Sequence, residues 1–84
     1  MYLGNNYIVK IGGVNMQTLS KADCGSYTIK WLFGVPEVVE YMKNMHINVG
    51  TDIRVIYKYR DGLLIGTETK RIIIGNEVAD RIQV

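Results

Sequence analysis

Two stretches of period-two alternation, residues 26–33 and 52–60, stand on either side of one segment with helical period, and this switch is what most limits the folds open to the chain. In the first stretch Tyr27, Ile29, Trp31 and Phe33 share one face, with Thr28 and Lys30 on the other, the pattern of a half-buried strand. Gly34-Val35-Pro36-Glu37 then changes the period. Proline suits the first turn of a helix, and Glu37 and Glu40 lie near the positive end of its dipole. Val38, Met42 and Met45 recur at i, i+4 and i+7 with Val39 alongside, which predicts a helix of roughly ten residues with one apolar face. Tyr41, Lys43 and Asn44 are expected to face outward. The Met stripe is read as core against a sheet rather than as a binding groove.

The second alternating stretch puts Ile53, Val55, Tyr57 and Tyr59 on one face and Arg54, Lys58 and Arg60 on the other, with Ile56 out of phase. Asp61-Gly62 is a strong hairpin signal, so residues 63–67 should return antiparallel. A further strand is centred on Arg71-Ile72-Ile73-Ile74 and ends at Gly75; Asn76 is placed to cap a helical turn through Asp80, and residues 81–84 form a closing strand. Upstream, Tyr7-Ile8-Val9-Lys10-Ile11 reads as a short strand stopped by Gly12-Gly13, and residues 18–22 as a single turn closed by Gly25. Strands, one helix, then a meander make a mainly β chain: a small antiparallel barrel or curled sheet with the helix plugging one side.

At 84 residues there is room for one domain with a thin core. The 48% hydrophobic and 21% charged composition is that of an ordinary globular protein, not a disordered one. A single cysteine, Cys24, rules out an internal disulfide and fits a reducing compartment, so cytoplasm is the expected location. No apolar run reaches membrane-spanning length, and the first ten residues lack the order of a signal peptide. Net charge of +2 is too small to predict a nucleic-acid binder. The positive charge does concentrate between Arg54 and Arg71, where Lys58, Arg60 and Lys70 also lie, against Asp61 and Glu68. Those cations are read as the solvated outer faces of strands.

Chemistry is poorly supplied. A structural zinc site needs about four Cys and His ligands, and the chain holds only Cys24 and His46, so no metal site is assigned. The same pair would have to serve as nucleophile and base, yet Cys24 sits beside Asp23 and His46 at a helix end where a cation is favoured anyway; no catalytic residues are assigned. Gly12-Gly13 and Gly34-Val35-Pro36 lack the spacing of phosphate or dinucleotide loops, so no cofactor is expected. What remains is surface. Six tyrosines and one tryptophan suit protein contacts, because rigid rings bury much area at small entropic cost. Tyr57 and Tyr59, carried toward the hairpin where a small barrel has little interior left, are the candidate aromatic patch, with Arg60 as its charged neighbour.

The run from Val38-Val39-Glu40-Tyr41-Met42 through Met45-His46-Ile47-Asn48-Val49-Gly50 into Ile53-Arg54-Val55 resembles the helix and following strand of the FeoA family. Arg71-Ile72-Ile73-Ile74, then Ala79, Ile82 and Val84, is similar to its closing pattern, and Thr18-Leu19 with Gly25 to its opening. The resemblance covers residues 18–84 and departs from the family in three places. His46 stands where a glycine is usual, so a left-handed or near-zero φ is expected there; the hairpin around Arg60-Asp61-Gly62 lacks the usual Gly-Asp-Pro; and residues 1–17 have no counterpart. The resemblance implies an SH3-like antiparallel barrel over residues 18–84 with a short-stranded N-terminal extension over 1–17. It further implies a cytoplasmic accessory of bacterial ferrous iron transport, not an enzyme, that binds and modulates the cytoplasmic domain of a FeoB-type GTPase transporter without itself entering the membrane. Iron is then cargo of the partner. The alternatives are a regulatory or nucleic-acid-binding SH3-like module unconnected to a transporter, including the barrel of metal-dependent repressors, in which a winged-helix region precedes it. The oligomeric state is left open.

Overall fold

The computed structural model describes residues 9–11 and 14–84, with side chains from Met16 onward. Its elements run β1 (Val9–Ile11), β2 (Val14–Met16), a 3-10 turn (Leu19–Lys21), β3 (Gly25–Thr28), β4 (Trp31–Leu32), α1 (Pro36–Asn44), β5 (Asp52–Lys58), β6 (Gly62–Gly66), β7 (Arg71–Gly75), α2 (Asn76–Ala79) and β8 (Ile82–Gln83). β1 pairs antiparallel with β2 as a separate ribbon, while Tyr7, Ile8, Gly12 and Gly13 of the expected first strand and its stop lie outside the described residues.

Four strands form one antiparallel sheet in the order β3-β5-β6-β7, and β4 pairs with β8. The two sheets are joined by one continuous path of chain. Ile29 still donates its N–H to the Thr51 carbonyl beside β5 (2.9 Å), whereas the next residue, Lys30, donates to the Gln83 carbonyl beside β8 (2.8 Å). β8 is held on its other side by a bridge between Thr18 and Gln83 and by reciprocal backbone bonds between Gln17 and Val84. The sheet therefore curls on itself, with hydrogen bonding carried round the corner at residues 29–30. Inside lie Leu19, Ile29, Met42, Ile47, Leu63, Ile65 and Ile82, all at most 1% exposed.

That corner corrects the reading of residues 26–33 as one uninterrupted strand. Tyr27 and Ile29 do point inward, but Trp31 and Phe33 are about half exposed, at 49% and 47%, and Leu32 packs against the core in their place. Changing partner from β5 to β8 rotates the backbone, so the alternation restarts in the opposite phase.

α1 follows its sequence closely. Pro36 sits at the first helical position, where its missing N–H would have had no intrahelical acceptor. Met42 is fully buried, Val38, Val39 and Met45 pack against the core, and Tyr41, Lys43 and Asn44 are exposed. Complete burial of a Met side chain contributes about 2 kcal/mol. The helix ends in a Schellman motif: Ile47 N–H donates to the Met42 carbonyl and His46 N–H to the Lys43 carbonyl, both at 2.9 Å, with buried Ile47 and Met42 as the accompanying apolar pair. His46 occupies the left-handed position with φ 65°, as expected from the departure at this site.

At the far end of the barrel Asn76 does not cap α2 through its side chain, contrary to expectation. Its Nδ2 instead donates to the Arg60 carbonyl (3.1 Å) and its backbone N–H to the Asp61 carbonyl (2.9 Å), tying the β5–β6 hairpin to the start of α2. The hairpin closes with Tyr59 N–H donating to the Gly62 carbonyl at 2.8 Å, which makes Arg60-Asp61 the loop in place of Asp61-Gly62. Gly62 has no positive φ; it is needed because a Cβ there would collide with the Ile74 carbonyl oxygen on β7.

Candidate functional site

Ile56 decides what the outer face of the main sheet carries. The register between β5 and β6 pairs Val55 with Ile65 but Tyr57 with Leu64, so Ile56 is an extra residue on β5, a β-bulge. Residues directly opposite in an antiparallel pair share a face. Before the bulge Ile53 and Val55 point inward and are buried; after it the phase reverses and Tyr57 points outward, 56% exposed. The expected assignment of Tyr57 and Tyr59 to the core-facing side is thus corrected. They are exposed because of the bulge, not because the interior runs out beneath them. The same inversion takes Lys58 off the face of Arg54 and sets it opposite buried Leu63.

Three rows cross the outer face of β5, β6 and β7. The first is Arg54, Gly66 and Arg71; the second is Tyr57, Leu64 and Ile73; the third is Tyr59, Gly62 and Gly75. The middle row is wholly apolar apart from one phenol, and Ile73 in it is 67% exposed. Tyr57 and Tyr59 meet edge to face with centroids 4.9 Å apart and planes at 62°, a geometry that holds both rings while each stays about half exposed. Arg60 follows at the tip of the hairpin, exposed, with its carbonyl held by Asn76. The three residues expected to meet a partner are therefore contiguous, and the structure adds Leu64 and Ile73. Sequence alternation alone did not bring these two out, since each lies in an apolar run whose inner and outer members look alike.

Beside the apolar row the first row opens a groove of about 960 Å³. Gly66 leaves its floor without a side chain, and the Ile56 side chain lies over it, 3.2 Å from where a Cβ would stand. Arg54, Lys70 and Arg71 line it together with Asp52 and Glu68, so the groove is polar and of mixed charge. Asp52 is already engaged, accepting a hydrogen bond from the Thr28 hydroxyl at 2.6 Å.

A second exposed aromatic pair, Trp31 and Phe33, meets edge to face at 6.4 Å and 71° on the β4–β8 side. Alternation alone places this pair on one face with Tyr27 and Ile29, which the corner at residues 29–30 overturns.

Cys24 is exposed, its thiol donating weakly to the Ile56 carbonyl at 3.6 Å, while His46 lines a shallow depression with Asn48, Thr51 and Thr67. Among the described residues there is no group of three or more His, Cys, Asp or Glu that could hold a metal ion. The Tyr27 phenol, which donates to the Asp23 carbonyl at 2.7 Å, is pushed above its ordinary value of 10.0, chiefly by burial and then by the charges of Asp23 and Cys24. No helix among the described residues is long and apolar enough to cross a membrane.

A model of the FeoA domain matches residues 17–84. The fold is similar to the crystal structure of an iron uptake regulatory protein, FeoA, with a TM-score of 0.76 at 22% identity over 82% of this chain and 95% of that one. It is equally similar to part of a manganese-dependent transcriptional repressor, TM-score 0.76 at 16% identity, where 82% of this chain spans only 40% of the other. The Cd2+-bound structure of ScaR is matched at a TM-score of 0.73 and 19% identity, over 79% of this chain and 32% of that one. No curated protein sequence matches the chain. At these identities the solved structures establish an SH3-like fold.

Proposed function

Because the chain belongs to the FeoA domain family, we propose that it is a cytoplasmic accessory of ferrous iron transport that binds the cytoplasmic domain of a FeoB-type GTPase transporter and modulates it without catalysing a reaction. The observation that carries this reading is the Tyr57–Tyr59 pair, held edge to face and left exposed beside Arg60. Rigid rings next to a planar cation are the composition of interface centres, where truncating one residue costs about 2 kcal/mol or more. Iron is cargo of the transporter in this scheme, and the accessory supplies contacts.

The test is binding of Tyr57→Ala and Tyr59→Ala to the isolated cytoplasmic domain of a FeoB-type transporter, with circular dichroism as the control for folding. Each variant is expected to weaken binding by at least about tenfold. Unchanged affinity in a folded variant rejects this face. Binding to nucleic acid that falls steeply with added salt would move the chain to the alternative of a nucleic-acid-binding module.

A further inference from the structure

β7 ends the main sheet. Among the described residues no strand pairs with its outer edge, although the strand reads Arg-Ile-Ile-Ile-Gly and has a single charge, Arg71, to discourage pairing. Its hydrogen-bonding phase follows from the bonds at its two ends. Thr67 N–H donates to the Lys70 carbonyl at 2.7 Å and Asn76 N–H to the Asp61 carbonyl at 2.9 Å. Antiparallel pairs alternate between bonded and non-bonded, so the bonded pairs between these limits are Ile65 with Ile72 and Leu63 with Ile74. The backbone N–H and C=O groups of Arg71 and Ile73 and the N–H of Gly75 therefore point away from β6, toward the open edge, while the Gly75 carbonyl, at the N-cap of α2, accepts the first bond of that helix.

We propose that this edge pairs antiparallel with the same edge of a second copy of the chain, about a two-fold axis through Ile73. That register sets Ile73 against Ile73 and Arg71 against Gly75 of the other copy, so Ile73 bonds through both its backbone groups and the Gly75 N–H donates to the Arg71 carbonyl across the axis. The charge pattern fits the same choice. Centring the pairing on Arg71 would oppose two arginines, and centring it on Gly75 would leave Ile73 unpaired, whereas this register puts each arginine opposite a residue with no side chain. It also gives the exposed Ile73 a partner. The outer rows of the two copies join as Tyr57-Leu64-Ile73 followed by Ile73-Leu64-Tyr57, one apolar stripe across both sheets. On the inner side Ile72 meets Ile74 of the second copy. The assembly is isologous and closed, since each copy offers the same edge of β7 to the other. It is independent of any transporter.

Sedimentation velocity of the full chain from about 1 µM to about 1 mM is expected to show a monomer–dimer equilibrium. Two substitutions attack the edge differently. Ile73→Lys places like charges together at the axis. Gly75→Pro removes an outward N–H while leaving the bonds to β6 untouched, and the φ of −73° at Gly75 is one that proline adopts. The atoms nearest to a Cβ there belong to the Glu77 carboxylate, the far end of a flexible side chain. Each variant, folded by circular dichroism, is expected to raise the dimer dissociation constant at least about tenfold. Amide exchange on the unmodified chain gives a readout that does not depend on any variant folding. The Ile73 and Gly75 amides should be fast in dilute solution and slow at high concentration, with those of Ile72 and Ile74 slow in both. A monomer at every concentration, a dimer indifferent to both substitutions, or a dimer in which those two amides stay fast would each overturn the proposal.

Discussion

The alternation of apolar residues reverses at two places in this domain, and the two reversals have different causes. At Ile56 a residue is inserted into β5 while its neighbour β6 stays the same; at residues 29–30 nothing is inserted, and the strand exchanges one neighbour, β5, for another, β8. Both turn an aromatic pair outward: Tyr57 with Tyr59, and Trp31 with Phe33. The surroundings differ. The bulge lies within a continuous sheet, so its tyrosines line up with Leu64 and Ile73 on adjacent strands and become part of a broad surface. At the corner the sheet folds away, and Trp31 pairs across to Gln83 on the short β8. An inserted residue can thus build an outer face that a change of partner does not.

Deleting Ile56 should break the comparison most severely. The bulge would close with Tyr57 following Val55 directly and still opposite Leu64, so β5 would lose its bend and the Ile56 packing over Gly66 while keeping its outer face, and the loss of stability should be on the order of 4 kcal/mol, measurable by urea denaturation if the variant folds at all. A near-neutral deletion would show that the curled sheet does not need the bend that the bulge supplies. At the corner no residue is surplus, and the equivalent test is Ile29→Ala, which empties a site only 1% exposed and should cost about 3 kcal/mol in the same assay. His46→Gly sharpens the contrast by relieving strain that is local and not topological: at φ 65° the Cβ is disfavoured, and the variant should gain about 1 kcal/mol in chemical denaturation. The smallest effect is tied to Tyr27, just before the corner. The folded chain holds the Tyr27 proton at pH values where the unfolded chain, with its ordinary value of 10.0, has begun to lose it. Stability should therefore be full below pH 10 and fall as pH rises from there through the raised value, and Tyr27→Phe should flatten that decline in thermal melts taken across alkaline pH.

What the sequence disclosed and what it withheld divide along the same line. α1 was legible to its ends because proline, the apolar spacing of Val38, Met42 and Met45, and the family's glycine position at His46 are all local signals. Each strand after it was also located, since Gly62, Gly66 and Gly75 punctuate the apolar runs. The inward or outward side of Trp31, Phe33, Tyr57 and Tyr59 was not legible, because phase depends on which strand lies opposite and on whether one residue is extra. Ile56 was visibly out of step, and that was the one available sign of the bulge. Asn76 was misassigned for a related reason: a capping residue type next to a helix start carries no record of a hairpin that lies 16 residues away in sequence and offers its Arg60 carbonyl.

Gln17 and Val84 exchange backbone hydrogen bonds, 2.9 and 2.8 Å, at the two limits of the family match. The domain is in effect a ring of polypeptide whose seam is two hydrogen bonds wide. Such a ring can be cut elsewhere and joined at the seam, so a circular permutant opened in the exposed turn at Glu68-Thr69 should retain the same sheet. Its entry and exit points are adjacent, and it can be spliced into a longer chain without displacing what lies on either side.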